Sequence, residues 1–561
     1  MVHDDIDGLR RGLAHGSPDL IAPDLASQPL NLLVLGDFGG EDLDAPLAER
    51  LSAAVEDVDA SLAALSPIVR VRVEEVDSAD DALIDVKLTF RNLADFSRAA
   101  LEAAIPALTR SKRPPASPAV GSPQTDLERA IAAALSGGSA PSASAMSDRG
   151  PSRDDRQLGL VRAVPRLASV ERAWLGLARI IEAARAVPSR RVAVRLLPIS
   201  PRELGRELAR VDAGDDSELA DVLDGLSSRP ETRPDLMVVD EAIGFGPDGA
   251  AALRALARLS TDCAAIALAT ARDAELSLDG DRPLDGAAAA ERVVSDLGFA
   301  GFRSLRSDAR AAGLAIAAGA AERPRAAERP CAAERSCAAE RPRPLAAADP
   351  WRQSPALAVC EALIGTATAL RAGERLTLTG RADAAKARGA ATAAAAAAFA
   401  ARGLIVPWVD DRGLCVGPDV PVVFDPPRLV RDKDETARAA GLDLRTRLAL
   451  AWLTRLASIA VRAQGAPGRD REACAAFATA LGAALRPAVE RMVGGDARIL
   501  LSASFDGPDE RSLRLELALS VPRARAEPSG GVHGRAPLPE AASEVLSEGL
   551  AEVRCGCYPL V

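Results

Sequence analysis

The chain has 561 residues, with 79 acidic against 69 basic side chains and a formal charge of −10; at roughly 150 residues per domain this suggests three or four domains. The acidic balance argues against a non-specific nucleic-acid binder, and no run of 18 or more uncharged apolar residues offers a membrane span. Three histidines, four lysines (Lys87, Lys112, Lys386, Lys433) and eight scattered cysteines leave little for a Ser-His-Asp site, a phosphate-loop lysine or a disulfide framework.

The acidic start, Met1 to Asp5, lacks the apolar core of a signal peptide, so a cytoplasmic protein is expected. Residues 28–108 read as a first domain. Leu30 to Leu35 form a short apolar run that enters a glycine turn, Gly36-Asp37-Phe38-Gly39-Gly40, as a buried strand does. From Leu51 the apolar positions Val55, Val58, Leu62 and Leu65 predict a helix, stopped by Pro67. Val69, Val71 and Val73 alternate with charged residues, as do Ile84, Val86, Leu88 and Phe90, which predicts two half-buried strands. A helix with Leu101, Ile105 and Leu108 follows. Residues 1–108 hold 21 acidic and 8 basic residues, a net of −13.

Residues 109–158 are rich in Pro, Ser and Gly and read as a linker with one apolar island, Leu127 to Leu135. In 159–318, Val170, Trp174, Leu177 and Ile181 mark a helix, and Val192, Val194 and Leu196 a strand. Ser200-Pro201-Arg202-Glu203 has the residues of a capped helix start with a capping box. Strands at Leu236–Val239 and Cys263–Ala269 flank a helix carrying Leu253, Leu256 and Leu259, an alternation typical of α/β layers. Residues 319–350 contain four Ala-Ala-Glu-Arg hexapeptides without large apolar residues, a dispensable surface loop by composition. In 351–521, helices are expected at Leu357–Leu370, Leu444–Val461 and Cys474–Leu485, then strands at Ile499–Phe505 and Leu513–Val521. Residues 522–561 read as a flexible tail with a short helix from Glu540 to Val553. The fold class is α/β, with mixed α+β layers.

Chemistry is hard to find. None of the three histidines lies on a rigid element. The turn at Gly36 lacks a Gly-x-Gly-x-x-Gly spacing, and Asp37 would repel a phosphate. Cys555 and Cys557 have no second pair to complete a zinc site, and the acidic residues Asp212, Asp215, Asp216, Glu218 and Asp221 lack calcium-loop spacing. The inventory predicts no catalytic, cofactor or metal residues, and a structural protein in place of an enzyme.

Two stretches resemble two protein families. Pro29–Gly40, Ala64–Val73 and Leu88–Phe96 resemble, in order and spacing, the opening strand, second strand and "l-x-F-x-s-l-d-D-F" signature of the small subunit of the type VI secretion contractile sheath. Leu167–Leu177, Arg195–Leu204, Asp235–Asp240, Phe302–Leu314 and Gly403–Pro407 resemble successive segments of the large sheath subunit. The resemblance places family-motif residues, expected to serve assembly, at Gly36, Asp37, Gly39, Phe90, Asp95, Phe96, Glu171, Trp174, Gly176, Arg306, Asp308, Arg310 and Gly313.

It implies a fusion of the two subunits whose parts share a core. Such a chain would stack with other protomers into a helix around an inner tube protein on a baseplate, and contract to deliver effectors. An AAA+ unfoldase would recycle it, with Leu127–Leu135 as the grip; nucleic acid and membrane insertion are not expected. Departures are Leu175 in place of the motif arginine, Ala315-Ile316-Ala317-Ala318 in place of Leu-Pro-Arg, and Pro23 where a terminal strand would hook a neighbour. They keep a non-contracting scaffold or regulator open, and an α/β enzyme with an unrecognised carboxylate site is the remaining alternative.

Overall fold

A computed structural model of the chain describes residues 25–40, 45–76, 83–105, 153–187, 191–276, 286–319, 321–324, 350–365, 376–378, 392–410, 413–417, 420–425, 443–464, 467, 470–492, 498–506, 512–520, 546–547 and 553–554. These form two compact units that do not follow chain order. One is built from 25–37, 45–56 and the described residues from 175 onward. The other is built from 38–40, 57–76, 83–105 and 153–174. Each unit therefore takes residues from both sides of segment 106–152.

The first unit is organised by five parallel strands: β1 (Leu30–Gly36), β4 (Val192–Pro198), β5 (Leu236–Ile243), β6 (Ile266–Ala271) and β7 (Leu314–Ala317), in the spatial order β4-β1-β5-β6-β7. β1 lies inside the sheet. It pairs with β4 from Leu30↔Val192 to Gly36↔Pro198, and with β5 from Leu32↔Leu236 to Leu35↔Val239. Every residue of β1 is buried, which is why its sequence runs apolar without alternation: a parallel sheet covered on both faces must bury both. One face (Leu33, Leu35, Leu197, Met237, Val239, Ala267, Ala269) joins the core with helices Pro201–Ala213, Glu218–Ser227 and Pro247–Asp262. Helix Pro355–Gly365 packs on β5, β6 and β7, and is buried from Pro355 through Ile364.

Both edges of this sheet are covered by the chain itself. The Ser52 and Val55 amides donate to Leu196 O (2.9 Å) and Val194 O (2.7 Å) along β4. Along β7, Ile405 N donates to Ile316 O and Val423 N to Leu314 O, both at 2.8 Å. The β4 contacts correct one expectation. Leu51–Asp57 is not helical; the helix is Val58–Leu65, begun by Asp57, whose carboxylate accepts from the amides of Asp59 and Ala60. A second correction concerns Cys263. It caps helix Pro247–Asp262, and after Ala264 at φ +49° the strand starts only at Ile266.

The second unit holds the antiparallel pair β2 (Ile68–Glu74) and β3 (Leu83–Thr89), whose buried and exposed residues alternate largely as the sequence predicts. Helix Arg153–Arg162 docks on it: Gln157 accepts from Val76 N (2.6 Å) and donates to Glu74 O (2.9 Å). Arg98 binds both Glu102 (2.6 Å) and Asp155. Thus residues before and after segment 106–152 are tied together in this unit. The helix expected through Leu108 is described over Arg98–Ala104, with Leu101 and Ile105 buried; Leu108 and the island Leu127–Leu135 lie outside the described residues.

Later elements follow the predicted periods. The helix at Leu444–Gln464 buries Leu448, Trp452 and Leu456 but leaves Ile459 half-buried; a helix at Arg471–Met492 precedes an antiparallel hairpin of Arg498–Asp506 and Ser512–Ser520. The helix expected at 540–553 is not supported by its described residues. Leu546–Ser547 and Val553–Arg554 pair antiparallel with Ser512–Ser520, adding to its edge. The first hexapeptide is not loop throughout: its residues Ala321–Pro324 pair antiparallel with Pro350–Gln353, which closes a ladder around the other three. Halving a closed segment changes its closure cost by only about 0.6 kcal/mol. Deleting two hexapeptides, residues 326–337, is therefore expected to leave the unfolding midpoint within about 2 °C of the parent in a thermal scan.

Candidate functional site

The N-terminal end of β1 is fixed by a buried polar network. Asn31 and Asp235 hold each other: Asn31 N donates to Asp235 Oδ2 and Asp235 N to Asn31 O, both at 2.8 Å. The Asn31 amide group donates to Glu231 O (2.9 Å) and Arg233 O (3.0 Å). From helix Leu444–Gln464, Arg455 Nε reaches Asp235 Oδ1 at 2.9 Å; its Nη2 and the Trp452 indole both donate to Pro29 O. The side chains of Asp235 and Arg455 are wholly shielded from solvent. Burial raises the pKa of the Asp235 carboxyl, and the Arg455 guanidinium opposes that rise. Three distant stretches of sequence thus meet at the entry of β1.

The family-motif residues are distributed between local devices. Gly36 ends β1 with its carbonyl accepting from Ile199 N at 3.0 Å, and Asp37 is buried just beyond. In the second unit, Gly39 O accepts from Ile68 N (3.3 Å). Trp174 meets Phe38 edge-on at 5.2 Å between centroids, and its indole donates to Phe38 O at 3.0 Å. Glu171 is buried one turn earlier on the same helix, Pro165–Ala186. Phe90 and Phe96 stack at 4.2 Å, while Asp95 accepts from the amides of Arg91 (2.6 Å) and Asn92 (3.1 Å), so the signature encodes a capped turn over an aromatic pair.

In the first unit, Gly176 leaves room for Leu357, whose Cδ1 would lie 2.4 Å from an added Cβ. Arg306 pairs with Asp425 at 3.0 Å and accepts from its amide at 2.7 Å; burial lowers the Arg306 pKa. Asp308 caps the short turn Ala309–Gly313 through Arg310 N, Arg310 remains exposed against Asp308, and Gly313 admits Ser260 Oγ. Within this unit Gly176 serves the packing of helix Pro355–Gly365, while Arg306, Asp308, Arg310 and Gly313 shape one turn before β7. Ser200 accepts from Glu203 N as expected, but the Glu203 carboxylate turns to Arg50 (2.7 Å), not back to complete a capping box.

Two features escape the sequence reading. Gly40, next to Gly39, is the position that only glycine fits: φ is +78°, and a Cβ there would meet Ile68 O at 2.3 Å. The second is a Gly-x-Gly-x-x-Gly spacing at Gly244, Gly246 and Gly249, which follows β5 and opens helix Pro247–Asp262 as a dinucleotide loop would. The structure fills that loop from within. Glu275 Oε2 accepts from Phe245 N at 2.6 Å, its Oε1 sits 2.4 Å from any Cβ on Gly244, and Gly249 lies against Gly244 O. A carboxylate occupies the anion position, and the glycines serve the packing of helix on turn. Among the described residues no group of three or more His, Cys, Asp or Glu is placed to hold a metal, and no helix is long and apolar enough to cross a membrane; Cys555 and Cys557 lie outside them.

Residues 25–111, which span β1, β2 and β3, match the family model "Type VI secretion system, VipA, VC_A0107 or Hcp2". That segment is therefore similar to the VipA family of sheath small subunits. It covers about a sixth of the chain and includes the Gly36–Gly40 turn and the Phe90–Phe96 signature. A search of the curated proteins finds no match. Among solved structures, the contracted helical sheath of the anti-feeding prophage is similar at 12% identity, covering 93% of this chain and 96% of that one with a TM-score of 0.36. The baseplate of the same particle is similar at 14% identity, covering 65% of this chain and 80% of that one with a TM-score of 0.35.

The geometry sets two expectations. Replacing Asp235 by Ala strands the buried Arg455 guanidinium and is expected to cost about 3–5 kcal/mol in urea unfolding. Gly40→Ala, in the segment that matches the VipA model, is expected to lower the unfolding midpoint by several degrees. Gly205→Ala, in a helix interior with nothing within 4 Å of the new Cβ, is expected to raise stability by about 0.5–1 kcal/mol.

Proposed function

We propose that this chain is a structural protomer of a contractile sheath, with small- and large-subunit parts in one polypeptide, and that it is not an enzyme. The observation that carries this reading is the place of β1. The first strand of the VipA-family segment is an internal strand of the sheet made by residues 192–317, so neither part completes its core alone. The docking of helix Arg153–Arg162 on the end of β2 supports the same view from the other unit.

In this reading copies of the chain repeat through heterologous contacts that do not close, which generates a helix. Two packings of those contacts give extended and contracted states, and contraction drives effector delivery. Its partners are other protomers, an inner tube protein and a baseplate, with an AAA+ unfoldase acting on the contracted form. The motif positions Gly36, Asp37, Gly39, Phe90, Asp95, Phe96, Glu171, Trp174, Gly176, Arg306, Asp308, Arg310 and Gly313 then act by shaping each protomer for assembly. The contribution of segment 106–152 is a fixed one-to-one ratio of the two parts and a raised effective concentration.

Electron microscopy of the purified chain, with and without a protease site placed between residues 115 and 145, tests this. Tubes from the intact chain, and cleaved fragments that co-elute in gel filtration, are the expected outcome. Persistent monomers would favour a non-contracting scaffold. Fragments that separate into two independently folded pieces would overturn the shared core.

A further inference from the structure

At the carboxyl end of the central sheet, the turns that leave β5 and β6 lie side by side. Arg272 N donates to Ile243 O at 2.9 Å, so the pairing of the two strands continues past Ala271 into both turns. In an open α/β sheet this rim is where ligands are bound. Gly244 and Phe245 are buried there, and helix Pro247–Asp262 begins without a side-chain cap: Gly246 has no side chain to offer and Pro247 no amide hydrogen.

The group that answers these donors comes from the next turn. Glu275 sits between Arg272, whose carbonyl accepts from the Glu275 amide at 3.2 Å, and the buried Leu276. Its carboxylate, 31% exposed, reaches back with Oε2 to Phe245 N at 2.6 Å and with Oε1 to Arg272 Nη1 at 3.3 Å. Gly244 makes the approach possible, since a Cβ there would lie 2.4 Å from Oε1. Asp248, the acidic residue in the first turn of the helix, is exposed, where water and salt screen its charge.

A helix start alone would be ordinary. Here a backbone amide, a guanidinium and the positive end of a 16-residue helix converge on two oxygens of one planar group. The space kept open at Gly244 makes the turn a cradle, and an anionic group already lies in it.

We propose that the Gly244–Gly249 turn and Arg272 form an oxyanion site of the phosphate class whose ligand is the chain's own Glu275, which holds the site shut. Tethered three residues from Arg272, the carboxylate is present at a far higher effective concentration than a free ion, so dissolved phosphate does not displace it. Without the carboxylate the donors remain, spaced for a phosphate. In the intact chain the filled site clasps the turn after β5 to the turn after β6. The sheath reading is not required, since every group involved belongs to this one rim of the sheet.

The test is chemical rescue. The apparent unfolding midpoint of the full chain is measured in sodium phosphate and in sodium chloride of equal ionic strength. The wild type is compared with Glu275→Ala, Glu275→Gln and a double variant, Glu275→Ala with Arg272→Gln. E275A is expected to lower the midpoint in chloride and to recover about half or more of that loss in phosphate. This recovery comes on top of the rise that phosphate, an excluded salt, gives every variant. E275Q keeps an oxygen for Phe245 N and leaves the cradle filled, so it loses less and shows no such recovery. Adding R272Q to E275A abolishes the recovery. Titration calorimetry of E275A with inorganic phosphate is expected to show one saturable site per chain that the wild type lacks. The proposal is overturned if phosphate raises all four midpoints alike, if the double variant recovers as E275A does, or if the wild type binds phosphate as tightly as E275A. Should E275A fail to fold in chloride, return of its circular dichroism in phosphate supports the site and continued absence overturns it.

Discussion

The rest of the structure depends on the seating of β1 between β4 and β5. Its flanks are apolar and would tolerate a slip along the neighbouring strands, because every residue from Leu30 to Leu35 except Asn31 is aliphatic. Asn31 removes that freedom. Its side chain and backbone bind three carbonyl or carboxylate groups on the segment leading into β5, and Arg455 closes the arrangement from a helix more than 400 residues away. The price of this register lock is a fully desolvated ion pair, which adds less stability than a well-packed apolar substitute could but admits only one alignment.

From that constraint follow the two faces and the two covered edges. With β1 in place, the sheet presents Leu33 and Leu35 to one helical layer and Leu32 and Val34 to the other. The strands at its margins are then shielded by Ser52–Val55 and by Ile405 and Val423. An exposed parallel edge of this apolar composition would recruit other chains indiscriminately. The covering segments come from quite different parts of the sequence, so closure of the sheet requires the whole first unit.

Much of this was legible in the residues. Strand periods at Leu30, Val69, Ile84, Val192 and Leu513, and the helix start at Ser200, are local signals and were found where local signals point. The Phe90–Phe96 signature led to the sheath small-subunit family, and its match spans β1 to β3. What was not legible is what the fold brings together over distance. Nothing near Asn31 announces Asp235 or Arg455. The capping box at Glu203 was lost to Arg50, 153 positions earlier, and the helical spacing from Leu51 was overridden by backbone bonds to β4. The glycine spacing at Gly244 carries a familiar pattern, yet Glu275, beyond the next strand, decides what it does.

A strand held on both sides along its length also has a mechanical character. A pull on the chain ahead of Leu30, directed along β1, meets the ladders to β4 and β5 side by side, so they must yield together instead of one bond at a time. The charged clasp at Pro29 and Asp235 stands at the point where such tension would enter. Force that reaches the protein from that end is therefore passed into the body of the sheet before any strand peels away, the mechanical behaviour of a rivet rather than of a zip.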